Sequence, residues 1–190
     1  MPGGGKSTVG RHLARQTGMR FVDSDAEIEK QLGETIRSYF EREGEAAFRQ
    51  REEQVIAQLL HGSGELVLAT GGGAVLREAN RHALKSAATV LYLRSTPEEL
   101  FRRLRHDTQR PLLQVRDPLL KLRELFAQRD PLYRSTAHYT LETGRPSVAA
   151  LVNMVLMQLE LAGLISPERV QATVGAEAVP SDADKRGLPS

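Results

Sequence analysis

The sequence predicts an α/β protein in which a parallel sheet is flanked by helices on both faces. Three observations carry that prediction. The apolar runs 66–69 and 89–93 have no polar alternation, as expected of strands buried on both faces. Amphipathic helical stretches stand between the strands, so consecutive strands are joined by crossovers. Acidic or glycine-rich turns follow the strands, at the sheet edge where ligands bind in this architecture.

The elements follow in order. Residues 6–17 predict a helix, with Val9 and Leu13 on one face and Gly18 as its stop. Residues 19–22 read as a short strand ending in Asp23-Ser24-Asp25. A helix over 26–32 pairs Ile28 with Leu32 and stops at Gly33. Two further helices are expected, over 35–43 with Ile36, Tyr39 and Phe40 inward, and over 45–60 with Phe48, Val55 and Ile56 inward. The strand at 66–69 runs into Gly71-Gly72-Gly73. A weaker helix covers 77–85, and the next strand covers 89–93. Ser95-Thr96-Pro97-Glu98-Glu99 combines a hydroxyl cap, a first-turn proline and early acids, which together start a helix. From 105 to 117 the periodicity vanishes and a mobile loop is expected. A helix over 118–128, a strand over 139–143 and a helix from Ser147 to Leu161 complete the domain. Residues 166–190 lack periodicity and are expected to be a disordered tail.

Composition bounds the function. At 190 residues the chain suits one domain. Aromatic residues make up 5%, with no Trp, so there is no aromatic platform for single-stranded nucleic acid. The net charge of +2 does not call for nucleic acid either, although it suits a protein whose ligands are anions. With no Cys, disulfides, thiolate metal sites and thiol nucleophiles are excluded, and a reducing cytoplasmic setting is expected. No apolar run approaches the ~18 residues that would span a membrane, and no leader peptide is expected. The five His residues show no metal-ligand spacing.

Four constellations point to chemistry. Gly3-Gly4-Gly5-Lys6-Ser7-Thr8 matches the end of the phosphate-binding pattern G-x-x-x-x-G-K-[ST], whose first glycine would fall one position before Met1. The strand feeding the loop is therefore expected to be absent, and the chain as given to fold poorly without it. Backbone N–H groups of such a turn, with the helix N-terminus behind them, cradle anionic oxygens. Lys6 would reach the terminal phosphates and Ser7 would hold Mg²⁺. Asp23-x-Asp25 at a strand end offers one carboxylate to a metal and one to a substrate hydroxyl; the plain alternative is a helix cap. Arg49 and Glu52 are three apart on a helix, where Glu52 would hold Arg49 rigid for a carboxylate, or the two form an ordinary surface pair. Three glycines after a buried strand let a ligand approach the backbone, where a plain turn would need fewer. Arg110 beside Pro111 suits a loop that closes over phosphates. Arg129, before Pro131, reads either as a binding group or as a helix-end partner.

This ordered set, Gly-Lys-Ser-Thr, Asp-Ser-Asp, Phe-Arg-x-x-Glu, Thr-Gly-Gly-Gly, Arg-Pro-Leu-Leu and Arg-x-Pro-Leu-Tyr, resembles bacterial shikimate kinase over residues 1 to about 160. The resemblance implies a three-layer P-loop NTPase fold with a five-stranded parallel sheet, a substrate-binding lobe over 24–53 and a lid over 105–117. It also implies ATP-dependent phosphorylation of the shikimate 3-hydroxyl, with ATP and Mg²⁺ required, by a cytoplasmic monomer with no nucleic-acid or membrane partner. Carried over by position, Gly3, Gly4, Gly5, Lys6, Ser7 and Thr8 bind ATP, and Ser7 and Asp23 serve the metal. Asp25 touches the substrate hydroxyls and is the candidate base. Arg49 and Arg129 clamp the carboxylate, and Gly71, Gly72 and Gly73 cradle the ring. Arg110 is the lid arginine on the phosphates, Arg103 packs on adenine, and Arg145 lies in the adenine loop. Two alternatives stand beside this: another small-molecule P-loop kinase, such as one for gluconate, and a truncated, inactive nucleotide-binding remnant.

Overall fold

The computed structural model describes residues 1, 3–105, 115–144, 146–166 and 168. The lid arginine Arg110 with most of the expected lid, Arg145, and nearly all of the expected tail lie outside them.

Helix α1 (Lys6–Thr17) begins at Gly5 and ends at Gly18, both left-handed, at φ 79° and 67°. A side chain at either position would crowd its own backbone, so glycine sets both ends of this helix. Strand β1 (Arg20–Asp23) leads directly into α2 (Ser24–Leu32). Helix α3 (Ile36–His61) holds the two helices expected from the sequence, separated by a non-helical Gly44 at φ 82°. Strand β2 (Leu66–Ala69) passes through the glycine run into a 3-10 turn (Ala74–Leu76) and α4 (Glu78–Ala87). Strand β3 (Leu91–Arg94) precedes α5 (Pro97–Leu104), whose Thr96 and Glu99 form the reciprocal cap that the sequence signalled.

Helix α6 corrects the sequence reading. It runs from Pro118 to Thr136, through Pro131 rather than stopping before it. Side chains around Pro131, described below, supply the anchoring that the missing N–H withholds. Strand β4 (Tyr139–Glu142) and α7 (Val148–Leu161) complete the order.

The sheet is the second difference from expectation. Where the resemblance implies five strands, the described residues form two parallel pairs, β1 with β2 and β3 with β4. Each of β2 and β3 is therefore paired on one side. Between them lies an apolar cavity of about 530 Å³, lined by Val67 and Leu68 from one pair, Leu91 and Leu93 from the other, and Val155 and Leu159 of α7. Helix α7 bridges both pairs, since its Leu151, Val152 and Val155 share a core with Val67 of one pair and Leu91, Leu93 and Leu141 of the other. A second cluster joins α5 and α6 through Leu100, Leu104, Leu122 and Leu125. A third packs α2 on α3 through Ile28, Phe48 and Val55, within the segment 24–53 expected to form the substrate lobe. Among the described residues no helix is long and apolar enough to cross a membrane.

Candidate functional site

The N-terminal loop places its groups as a phosphate cradle requires. Gly3 and Gly5 both take positive φ, 71° and 79°. The N-cap Gly5 makes no side-chain cap bond to α1, and the positive end of the helix dipole stands behind the loop. Lys6 Nζ donates to the Met1 carbonyl at 2.9 Å, which holds the ammonium over the loop. Gly4 is buried, and a Cβ there would sit 3.3 Å from the Met1 carbonyl oxygen. Thr8 is exposed on the same turn.

Ser7 Oγ donates to Asp23 Oδ2 at 2.7 Å, so α1 meets the end of β1 through an oxygen pair. The other Asp23 oxygen accepts the Asp25 N–H at 3.1 Å. Asp23 thus caps α2, the plain alternative weighed from the sequence, while its second oxygen faces Ser7. A hydroxyl and a carboxylate this close are hard oxygen donors of the kind Mg²⁺ prefers.

Asp25 follows in the first turn of α2. Its pKa is raised, first by burial and next by the negative charge of Asp23, while Lys6 and Arg49 act in the opposite direction. A carboxylate held in this way is more basic than one in water.

The glycine run closes on these charged groups from the far side. A Cβ on Gly71 would lie 2.5 Å from Asp25 Oδ1 and 3.1 Å from Glu52 Oε1, and one on Gly73 would overlap the Arg49 guanidinium. The space a side chain would fill is already taken by the site, which gives the glycines a reason beyond turn geometry. Ser24 Oγ accepts the Gly71 N–H at 3.0 Å and is fully buried, pinning the run to the start of α2. The sequence reading passed over Ser24; its place between Asp23 and Asp25 was the available signal.

Arg49 is held by its own helix. Its Nη1 donates to Glu52 Oε2 at 2.7 Å, and the side chains are only 14% and 1% exposed, so the pair is no ordinary surface pair. Burial raises the Glu52 pKa, opposed by its hydrogen bond to Arg49 and by that residue's charge. The Arg49 guanidinium also lies over Phe40 and Phe48, 5.9 and 5.2 Å from the ring centroids. Opposite, Arg129 Nη1 and the Tyr133 hydroxyl both donate to the Gly72 carbonyl, at 3.2 and 2.6 Å. Arg129 Nε is buried and has no hydrogen-bond partner among the described residues, which leaves it an unsatisfied donor. Tyr133 was missed as a site residue although it stands one helical turn after Arg129.

Structure therefore brings together Lys6, Ser7, Asp23, Asp25, Arg49, Gly71, Gly72, Gly73 and Arg129. Arg103 lies apart from them: it donates to Ser95 Oγ at 3.1 Å and to the carbonyl and hydroxyl of Thr143, joining α5 to the loop after β4.

Three comparisons bear on this arrangement. A family model described as Shikimate kinase matches residues 2–160. The shikimate kinase of Paracidovorax citrulli is 56% identical over 169 residues, covering 88% of this chain and 92% of that protein. That of Ralstonia nicotianae is 55% identical over 165 residues, covering 87% and 86%. Among solved structures, shikimate kinase from Acinetobacter baumannii in complex with shikimate is 49% identical, with a TM-score of 0.78 over 85% of this chain and 89% of that one. The enzyme from Aquifex aeolicus is 32% identical, with a TM-score of 0.75 over 86% and 95%.

Proposed function

The chain belongs to the shikimate kinase family, and from that premise we propose that it transfers the γ-phosphoryl group of ATP to the 3-hydroxyl of shikimate. With the family shown, the gluconate-type alternative falls away. The observation that carries the reading is the convergence of two buried-side arginines, one basic carboxylate and three glycines on one space beside a phosphate loop.

Shikimate offers one carboxylate and several hydroxyls. Arg49, preorganised by Glu52, and Arg129, with an unsatisfied Nε, supply forked donors for the carboxylate. That fixes the ring over Gly71–Gly73 with its hydroxyls towards Asp25. Asp25 then accepts the proton of the 3-hydroxyl as that oxygen attacks the γ-phosphorus. The bond to the bridging oxygen breaks and ADP leaves. Lys6 and the first-turn N–H groups of α1 hold the phosphates and stabilise the charge that develops on them. Ser7 and Asp23 fit Mg²⁺, which when bound neutralises phosphate charge. Arg110 and Arg145 are read as the lid and adenine-loop groups from their positions in the family pattern, and Arg103 as an adenine-side residue. Residues 24–53 are read as the substrate lobe and 105–117 as the lid. The protein is read as a cytoplasmic monomer acting on small molecules alone.

The test is shikimate-dependent ADP release by the folded chain with Mg-ATP, repeated for Arg129→Ala. Turnover is expected, and the variant should raise the shikimate KM at least tenfold with little change in the ATP KM. No turnover by folded protein would favour the nucleotide-binding remnant. Equal changes in both KM values would sink the clamp.

A further inference from the structure

Arg129 stands where α6 is least able to hold itself. Pro131 has no N–H to offer the carbonyl four residues earlier, and its ring crowds the preceding turn. The helix nevertheless continues to Thr136. What secures it is the neighbour of Arg129. Asp130 projects about 100° round the helix axis from Arg129, away from the glycine run and onto β3. Its Oδ1 accepts from the Tyr92 hydroxyl and from Arg94 Nε, each at 2.9 Å. Its Oδ2 accepts from Arg134 Nε at 2.9 Å. The carboxylate is 12% exposed. Burial alone would raise its pKa, but Arg94, Tyr92 and Arg134 outweigh that and the net shift is downward.

The contacts close into a ring. Tyr92 stacks on Tyr133 with centroids 4.8 Å apart. Tyr133 and Arg129 share the Gly72 carbonyl. Arg94 also donates to Glu142 at 3.0 Å, which ties the anchor across β3 to β4. Two adjacent residues thus face opposite duties: Asp130 grips the sheet, and Arg129 faces the site.

We propose that Asp130, through Tyr92 and Arg94, is a positioning residue that fixes the rotation of α6 and thereby the aim of Arg129 at the substrate carboxylate. This rests on the clamp role given to Arg129 above. The geometry makes the lever steep. A rotation of about 10° moves a guanidinium lying about 8 Å from the helix axis by roughly 1.4 Å, enough to spoil forked donation to a carboxylate.

Steady-state kinetics on Asp130→Asn, Tyr92→Phe, Arg129→Ala and the Asp130→Asn/Arg129→Ala double variant of the full chain test this. Asp130→Asn should raise the shikimate KM about tenfold while the ATP KM stays within about twofold, because only the clamp is mis-aimed. Tyr92→Phe loses one hydrogen bond and no charge, and should raise the shikimate KM about threefold. In the Arg129→Ala background, Asp130→Asn should add nothing to the shikimate KM. Equal movement of both KM values, or an Asp130→Asn effect that persists without Arg129, overturns the inference and leaves the clamp standing. An unchanged shikimate KM in Arg129→Ala overturns the clamp reading and this inference with it. Should Asp130→Asn not fold, Tyr92→Phe carries the same comparison, alone and combined with Arg129→Ala, under the same two outcomes.

Discussion

Arg49→Met exposes the energetic logic of the site. The substitution keeps an apolar stem of similar length and removes the charge. Glu52, 1% exposed, then stays buried without the guanidinium that now sits 2.7 Å away. Breaking a buried pair from one side costs about 3 kcal/mol or more, because the remaining charge is uncompensated. Loss of the contacts over Phe40 and Phe48 adds about 1 kcal/mol. The pH dependence separates these two parts. Burial already raises the folded-state pKa of Glu52, so its contribution to stability is fully present below the unfolded value, about 4.3, and is lost as pH rises through the folded value. Without Arg49 the folded value rises further. The loss relative to the parent chain should therefore be about 4 kcal/mol at pH 8 and become smaller as pH falls and Glu52 takes up a proton in the variant. Urea unfolding at half-unit pH steps reads this directly. Arg49→Met/Glu52→Gln should recover about 2 kcal/mol at pH 8 and lose the extra pH dependence. A loss of equal size at every pH, or a double variant less stable than the single one, would refute the reasoning.

Three further outcomes follow from the same geometry. Lys6→Ala should lower kcat on the order of 10²–10³-fold, the usual effect of removing one preorganised donor to transition-state charge; near-normal kcat would remove Lys6 from the phosphate site. Gly73 has an ordinary φ of −95°, so Gly73→Ala adds no backbone strain, yet its Cβ would displace the Arg49 guanidinium. The shikimate KM should rise about tenfold with a stability loss of about 1–3 kcal/mol from the overpacking, and an unchanged KM would mean that Arg49 does not clamp from its observed position. Joining an apolar four-residue strand through a glycine to Met1 should raise Tm by at least about 5 °C, by covering the edges of β2 and β3 that no described residue pairs and filling the cavity between them. An unmoved Tm would mean that the cavity does not accept a strand.

What the sequence made legible was local chemistry. Lys6-Ser7, Asp23-x-Asp25 and Gly71-Gly72-Gly73 each stand at the end of a strand or the start of a helix, and they came together because parallel strands present those ends on one edge. Arg49 with Glu52 was readable from helical spacing, although spacing cannot say that the pair is buried; that depends on α2 packing over α3 through Ile28 and Phe48. Long-range placement was not legible. Nothing in Leu91–Arg94 announces that Tyr92 and Arg94 will meet Asp130, 38 and 36 residues later. For the same reason α6 was expected to stop before Pro131. Local rules end a helix at proline, and the rule loses here to Tyr92 and Arg94, two donors that only the fold delivers. The division of the described strands into two pairs was equally invisible to periodicity, which identifies strands but not their neighbours.

The distribution of acids explains how the site holds so many cations without forfeiting precision. Lys6, Arg49 and Arg129 stand on α1, α3 and α6, and the proposed function gives each an anion that arrives with the ligands. Left alone, such side chains would sample many rotamers, and binding would have to order them. The chain instead assigns a fixed acceptor near each one. Lys6 is held by the Met1 carbonyl, Arg49 by Glu52, and Arg129 by the Gly72 carbonyl, on a helix that Asp130 ties to the sheet. The carbonyls that accept from Lys6 Nζ and Arg129 Nη1 are neutral backbone groups, which orient these cations without neutralising them. The carboxylates sit one step behind, where they set direction. Asp25 differs: it is half-buried beside Asp23, and its basicity is raised first by burial and next by that neighbour's charge. A carboxylate held low by a paired arginine would be too weak a base to take a hydroxyl proton, so the raised basicity of Asp25 suits the role that the proposed function gives it while its neighbours do the holding.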